Sequence, residues 1–181
     1  SPVPPLLMCE SLHGILGKGT PVFPQSIGMG ATFDPALMER VGSAIGREAK
    51  AMGIRIMLDG IFSHVGSDSV YFNRRGTHGE KVGAFRDPDS PYKKWFTFKN
   101  WPNDYECWWG FRTLPNVNEM DEDFRRYILN GEDSVVKHWV RQGTSGWRLD
   151  VADELPMDFL RGLRKAAKAL QVDPSVLSRK L

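Results

Sequence analysis

The stretch Gly146-Trp-Arg-Leu-Asp-Val-Ala152 decides how this chain is expected to fold. Its apolar residues alternate with polar ones at a period of two residues, the signature of a β-strand. Strand geometry then places Arg148 and Asp150 side by side on one face, with the apolar side chains on the other. The stretch predicts a strand that carries a pair of opposite charges on one face.

Other elements surround this strand. Asp34 and Pro35 begin a helix with apolar residues at helical spacing, and Gly53 ends it. Ile54-Arg-Ile-Met-Leu58 follows as a short apolar run, which predicts a buried strand. Further helical patterns occur around Phe124 to Leu129, Val135 to Val140 and Met157 to Leu170, and Pro5 to Met8 predicts one more strand. Strands that alternate with helices predict an α/β protein with a parallel sheet.

Residues 60–118 form a connection far longer than α/β units normally use. Because 13 of the 20 aromatic residues of the chain fall inside it, the segment does not have the composition of a disordered linker. We predict a folded excursion with a small core of its own and some rings left to meet a ligand. The alternative is that every ring serves packing.

Composition narrows the class of protein. The chain has 181 residues, 41% of them hydrophobic, and a formal net charge of +2, which favours neither a nucleic-acid partner nor an anionic membrane. The two cysteines, Cys9 and Cys107, do not form a disulfide scaffold, and no apolar run has the length of a membrane span. We therefore predict a cytoplasmic protein.

Candidate chemistry lies at the ends of the two main strands. The Arg148 guanidinium would keep Asp150 ionised, the state that a carboxylate nucleophile needs, although the pair could equally be a structural ion pair. Asp59 and His64 follow the other strand, and ligands collect at the carboxyl ends of parallel strands. No metal-binding or nucleotide-binding motif occurs in the sequence, so we predict neither a metal nor a cofactor.

Three segments carry a resemblance to glycoside hydrolase family 13, the α-amylase family. They are Asp59-Gly-Ile-Phe-Ser-His64, Leu114-Pro-Asn-Val-Asn118 and Gly146-Trp-Arg-Leu-Asp-Val-Ala-Asp-Glu154, in the order and spacing of the motifs around barrel strands three and four. Residues 53–164 resemble this family, and most of all its neopullulanase and α-glucosidase-like branches. The resemblance implies part of a (β/α)8 barrel, with residues 60–118 as the excursion after strand three.

The same resemblance implies retaining hydrolysis of α-glucosidic bonds in an α-glucan or maltooligosaccharide. Asp150 would be the nucleophile and Arg148 its orienting partner. His64 would bind the sugar in the −1 subsite, and Asp59 would be a supporting carboxylate at the strand end that also contacts substrate. Independently of the resemblance, Trp108 and Trp109 in the aromatic segment are candidates to stack on sugar faces. Ser63 stands where the family usually has an Asn often tied to calcium, so no calcium is predicted.

Retaining hydrolysis also needs an acid/base carboxyl about 5–5.5 Å from the nucleophile. The family places that Glu after the next barrel strand and a third essential Asp further on, and this chain ends before both. We therefore expect the chain by itself to be weak or inactive, with self-association through the edges of an incomplete barrel. Glu154 and Glu119 are the first candidates for a substitute acid.

Residues 1–52 resemble a different family. The runs Pro5-Leu-Leu-Met-Cys-Glu-Ser-Leu-His-Gly14, Gly17-Lys-Gly-Thr-Pro-Val-Phe-Pro-Gln25 and Ile27-Gly-Met-Gly-Ala-Thr-Phe-Asp-Pro35 are similar to the first barrel segment of glycoside hydrolase family 3, the β-glucosidase family. That resemblance implies that Glu10 contacts the −1 sugar. The chain is then a mosaic joined near Ala51 to Ile54.

Residues 166–181 weakly resemble a helix-turn-helix, with Asp173 as cap and Pro174 opening the second helix. A terminal helical hairpin is the simpler interpretation. The sequence thus predicts three segments, 1–52, 53–165 and 166–181. It also predicts a glycoside hydrolase, with a non-catalytic carbohydrate binder as the alternative and DNA binding through the tail as the third hypothesis.

Overall fold

The computed structural model describes residues 10–171. The chain divides into two compact units, Ser1–Ile56 and Met57–Leu181. The predicted strand at residues 5–8, together with Cys9, lies outside the described residues.

Within residues 10–56, the described part of the first unit, there are two helices, α1 (Ser26–Gly30) and α2 (Pro35–Ala51). The Asp34 carboxylate accepts a hydrogen bond from the Leu37 amide, and Pro35 occupies the first helical position, so the predicted start of α2 is confirmed. Gly53 follows with φ +67°, a conformation that suits glycine and ends the helix.

The second unit is built on a parallel strand pair, β1 (Met57–Gly60) and β4 (Gly146–Leu149). The prediction of a buried strand at residues 54–58 is wrong in position and in burial. Strand β1 begins three residues later, and Met57 is half exposed because β1 pairs only with β4 among the described residues. Strand β4 ends before the predicted Ala152, because Val151 has φ +41° and cannot continue an extended strand.

The excursion between β1 and the next helix is folded, as predicted. It contains the antiparallel pair β2 (Phe98–Asn100) and β3 (Asp104–Tyr105), with 3₁₀ turns at Lys93–Trp95 and Trp108–Gly110. The aromatic side chains that form its core are Phe72, Trp95, Phe96 and Tyr105, all nearly inaccessible to solvent.

Three helices follow the excursion within residues 119–171 of the second unit. They are α3 (Glu122–Arg125), which continues as a π-helical turn at Arg126–Asn130, then α4 (Val135–Arg141) and α5 (Met157–Gln171). Their buried side chains, including Phe124, Leu129, Val136 and Phe159, contribute to the core of this unit. Helix α5 runs without interruption through residue 171. The rest of the proposed helix-turn-helix lies outside the described residues, so DNA binding stays a prediction.

Candidate active site

Parallel pairing of β1 and β4 brings three charged side chains together. Asp59 and Arg148 are register partners. The Nη1 atom of Arg148 lies 2.9 Å from Oδ1 of Asp59 and 2.7 Å from Oδ1 of Asp150. Arg148 and Asp150 therefore lie side by side, as strand alternation predicts. The hydrogen bond and the charge of Asp59, followed by those of Asp150, raise the pKa of Arg148.

Asp150 is fixed by its backbone as well as by Arg148. Its amide donates to the Gly60 carbonyl oxygen over 3.2 Å, which extends the pairing beyond the end of β4. The turn at Val151 follows at once, so the carboxylate lies at the carboxyl end of the parallel pair, where ligands collect in parallel sheets. The Asp150 side chain is 29% exposed, half the exposure of Asp59 and of Arg148. It is thus partly shielded but open to a ligand.

His64 lies in an extended segment that runs antiparallel to residues 113–117. The Val65 amide donates to the Pro115 carbonyl, and the Val117 amide donates to the Ser63 carbonyl. Burial lowers the pKa of His64, although the charges of Asp150 and Glu154 act in the opposite direction. Burial therefore favours the neutral form of this imidazole.

An aromatic stack stands beside His64. The centroid of the Trp108 ring lies 5.2 Å from that of His64 and 5.1 Å from that of Trp109, with angles of 29° and 16° between the ring planes. The indole N–H groups donate to Glu154, Trp108 over 3.1 Å and Trp109 over 2.9 Å. The sequence predicted Glu154 only as a candidate acid. Its contacts join two loops more than 40 residues apart, and no periodicity signals them.

Two further acidic residues occupy different positions. Glu119 is half-buried and follows the segment that pairs with His64; burial and the charge of Glu154 raise its pKa. Glu10 is exposed and belongs to the first unit, whereas the residues grouped around Asp150 all belong to the second.

Among residues 10–171, no helix is both long and apolar enough to cross a membrane.

Comparison with known proteins gives the class. The model of the α-amylase catalytic domain matches residues 41–168, and that of the glycosyl hydrolase family 3 N-terminal domain matches residues 1–67. The chain belongs to the α-amylase family. The relatives that it matches in this family are glycoside hydrolases. Both resemblances seen in the sequence are confirmed, and the two matches overlap over residues 41–67. The helix-turn-helix resemblance stays a prediction.

Individual relatives are much longer than the matched region. Amylopullulanase from Thermoanaerobacterium saccharolyticum is 34% identical over 150 residues, 72% of this chain but 12% of that protein. Cyclomaltodextrinase from Geobacillus thermopakistaniensis is 33% identical, over 69% of this chain and 20% of that protein. The chain therefore spans a minor part of the relatives that it matches.

Solved structures also match this chain over a minor part of their own length. The cyclic α-maltosyl-(1→6)-maltose hydrolase from Arthrobacter globiformis, in complex with that sugar, is 30% identical. The match covers 70% of this chain and 27% of the hydrolase chain, with a TM-score of 0.59. A debranching enzyme from Nostoc punctiforme is 28% identical, covers 72% of this chain and 26% of its own, and also has a TM-score of 0.59.

Proposed function

We propose that this chain carries the nucleophile half of a retaining α-glucosidase site. Asp150 would attack the anomeric carbon of an α-glucan, forming an ester bond as the glycosidic C–O bond breaks, and water would then hydrolyse the ester. Asp59 and His64 would bind the sugar under attack, and Trp108 and Trp109 would bind a neighbouring one. The β1–β4 pair would correspond to adjacent strands of a (β/α)8 barrel.

The observation that carries this proposal is the 2.7 Å contact between Arg148 and Asp150. A guanidinium at this distance fixes the orientation of the carboxylate through a charge-assisted hydrogen bond, and a nucleophile needs a fixed orientation. A purely structural ion pair would satisfy the same geometry. However, the pair lies at the carboxyl end of the parallel strands in a member of a glycoside hydrolase family, and the same unit contains the half-buried imidazole of His64 and the exposed indole of Trp109.

Ordinary α-glucosides are expected to react weakly with the 181-residue chain assayed by itself. Protonation of the leaving group contributes about 10²–10⁴-fold to such reactions. Glu154 already accepts two indole N–H groups and is poorly arranged to deliver a proton. An activated substrate whose leaving group needs no proton therefore tests the nucleophile separately from the acid.

The deciding experiment is incubation with 5-fluoro-α-D-glucosyl fluoride, followed by intact-mass and peptide mass spectrometry. We expect one glycosyl adduct, located on Asp150, because fluoride leaves without protonation. The Asp150→Asn variant should form none. Asp153→Asn removes an equal charge three residues away and should label like the parent chain. Labelling at another residue, or none in the parent chain, would contradict the proposal.

A non-catalytic carbohydrate binder is the second candidate, and the exposure of Trp109, 74%, favours it. Aromatic faces left in solvent beside polar groups are suited to stack on pyranose rings. Binding of maltoheptaose that survives Asp150→Asn but is lost in Trp109→Ala, with no glycosyl adduct in the parent chain, would select this function.

A further inference from the structure

Glu154 is unusual because both of its carboxylate oxygens are occupied by adjacent tryptophans. Oε2 accepts from Trp108 over 3.1 Å and Oε1 accepts from Trp109 over 2.9 Å. Indole nitrogens only donate hydrogen bonds, so each ring bonds to one oxygen and the planar Glu154 carboxylate holds both rings. The Glu154 amide in turn donates to the Val151 carbonyl, which links this carboxylate to the turn after Asp150.

The two indoles that Glu154 holds are stacked, with an angle of 16° between their planes, and the inner one, Trp108, also stacks on His64. The outer ring, Trp109, is mostly exposed and has φ +47°, a conformation that costs a bulky residue free energy. An exposed side chain recovers little of that cost by burial. The hydrogen bond to Glu154 and the stack on Trp108 are the contacts that hold Trp109 in place.

We infer that Glu154 is a positioning residue that fixes Trp108 and Trp109 as a preformed sugar-binding platform beside His64. The choice of sugar as ligand rests on the proposed function, whereas the fixing of the rings does not. Exposed hydrogen bonds contribute little to global stability. The effect of Glu154 is therefore expected in ring order and in affinity, because ordering the rings before binding removes part of the entropic cost of binding.

The first test observes the rings directly in the full 181-residue chain labelled with ¹⁵N-tryptophan. The indole N–H resonances of Trp108 and Trp109 are assigned from single Trp→Phe variants. In Glu154→Leu we expect both resonances to move and the near-ultraviolet circular dichroism of the stacked pair to fall. Asp153→Asn, a charge loss at the neighbouring exposed residue, should change neither. Unchanged indole resonances in Glu154→Leu would overturn the inference.

The second test measures affinity for maltoheptaose by calorimetry. Glu154→Leu and Trp109→Ala should each weaken binding about five- to tenfold, and the double variant should lose little more, because both changes remove one platform. Glu154→Gln keeps one acceptor oxygen and should lose less than Glu154→Leu. Additive losses, or an equal loss in Asp153→Asn, would contradict the inference. A parent chain that binds no maltoheptaose would overturn the proposed ligand, while the resonances would still decide whether Glu154 fixes the rings.

Discussion

One guanidinium organises the charges of the candidate site. A single nitrogen of Arg148 serves Asp59 on one strand and Asp150 beyond the end of the other, so the geometry of both carboxylates depends on the parallel register of β1 and β4. Arginine suits this arrangement because its charge is permanent and its donors are rigidly placed. Burial lowers the pKa of His64, and the negative charge of Asp150 opposes that shift.

The pKa of His64 gives a prediction at this scale. Burial lowers it below the ordinary value of 6.5, and the negative charge of Asp150 partly opposes that shift. Asp150→Asn should therefore lower the pKa of His64 further, because the charge that favours the imidazolium is gone. Nuclear magnetic resonance titration of the ring protons measures it directly, with Asp153→Asn as the matched control.

The lowered pKa of His64 also determines the direction in which its contribution to the free energy of unfolding changes with pH. Between the lowered pKa of His64 and 6.5, the unfolded chain binds more protons at this residue than the folded chain does. The free energy of unfolding that His64 contributes should consequently rise as the pH increases through this interval. A His64 pKa above 6.5, or one that rises in Asp150→Asn, would contradict this account.

At the scale of elements, the long excursion is held together by aromatic packing and by one buried amide. The Phe72 ring contacts Phe96 and Tyr105 edge to face, at centroid distances of 4.9 and 4.7 Å. The Asn73 side chain is fully buried and donates to the carbonyls of Gly79 and Val82, both at 2.8 Å. The segment is thereby closed on itself without long strands.

Gly83 lies where this closure is tightest. It has φ +83°, and a Cβ there would lie 2.5 Å from the Asn73 Cβ and 2.8 Å from the Phe72 carbonyl carbon. Gly83→Ala should lower the free energy of unfolding by about 3 kcal/mol, from backbone strain and overpacking together. Gly66→Ala is the control, since a Cβ at Gly66 meets nothing within 4 Å. Equal denaturation midpoints for the two variants would contradict the prediction.

Local signals in the sequence predicted the presence of helices and strands better than the points at which they end. The Asp34 cap and Pro35 define the start of α2, and the alternation around Arg148 identifies β4, because both depend on residues a few positions apart. The positive φ of Val151, which ends β4 early, has no such signal, since β-branched residues favour strands. The pairing of Glu154 with Trp108 and Trp109 likewise depends on how distant loops meet.

At the scale of the whole molecule, the two compact units differ in how much apolar surface they bury. The second unit contains an extended core of aromatic and aliphatic side chains. In the described part of the first unit, Ile15 and Ala49 are the buried hydrophobic residues, while Ile27 and Phe33 are more than 80% exposed. We propose that such exposed surface, together with the outer edges of β1 and β4, favours self-association of the chain.

This difference predicts unequal protection from hydrogen exchange. Local opening is easiest where few apolar contacts oppose it, so amides of α2 should exchange at least about tenfold faster than those of α4 and α5, whose Val136 and Phe159 are fully buried. Hydrogen-exchange mass spectrometry of the full chain at low micromolar concentration measures both units in one sample. Protection of α2 that increases with protein concentration would report self-association. Protection of α2 equal to that of α4 and α5 at every concentration would contradict the prediction, because it requires both units to open together.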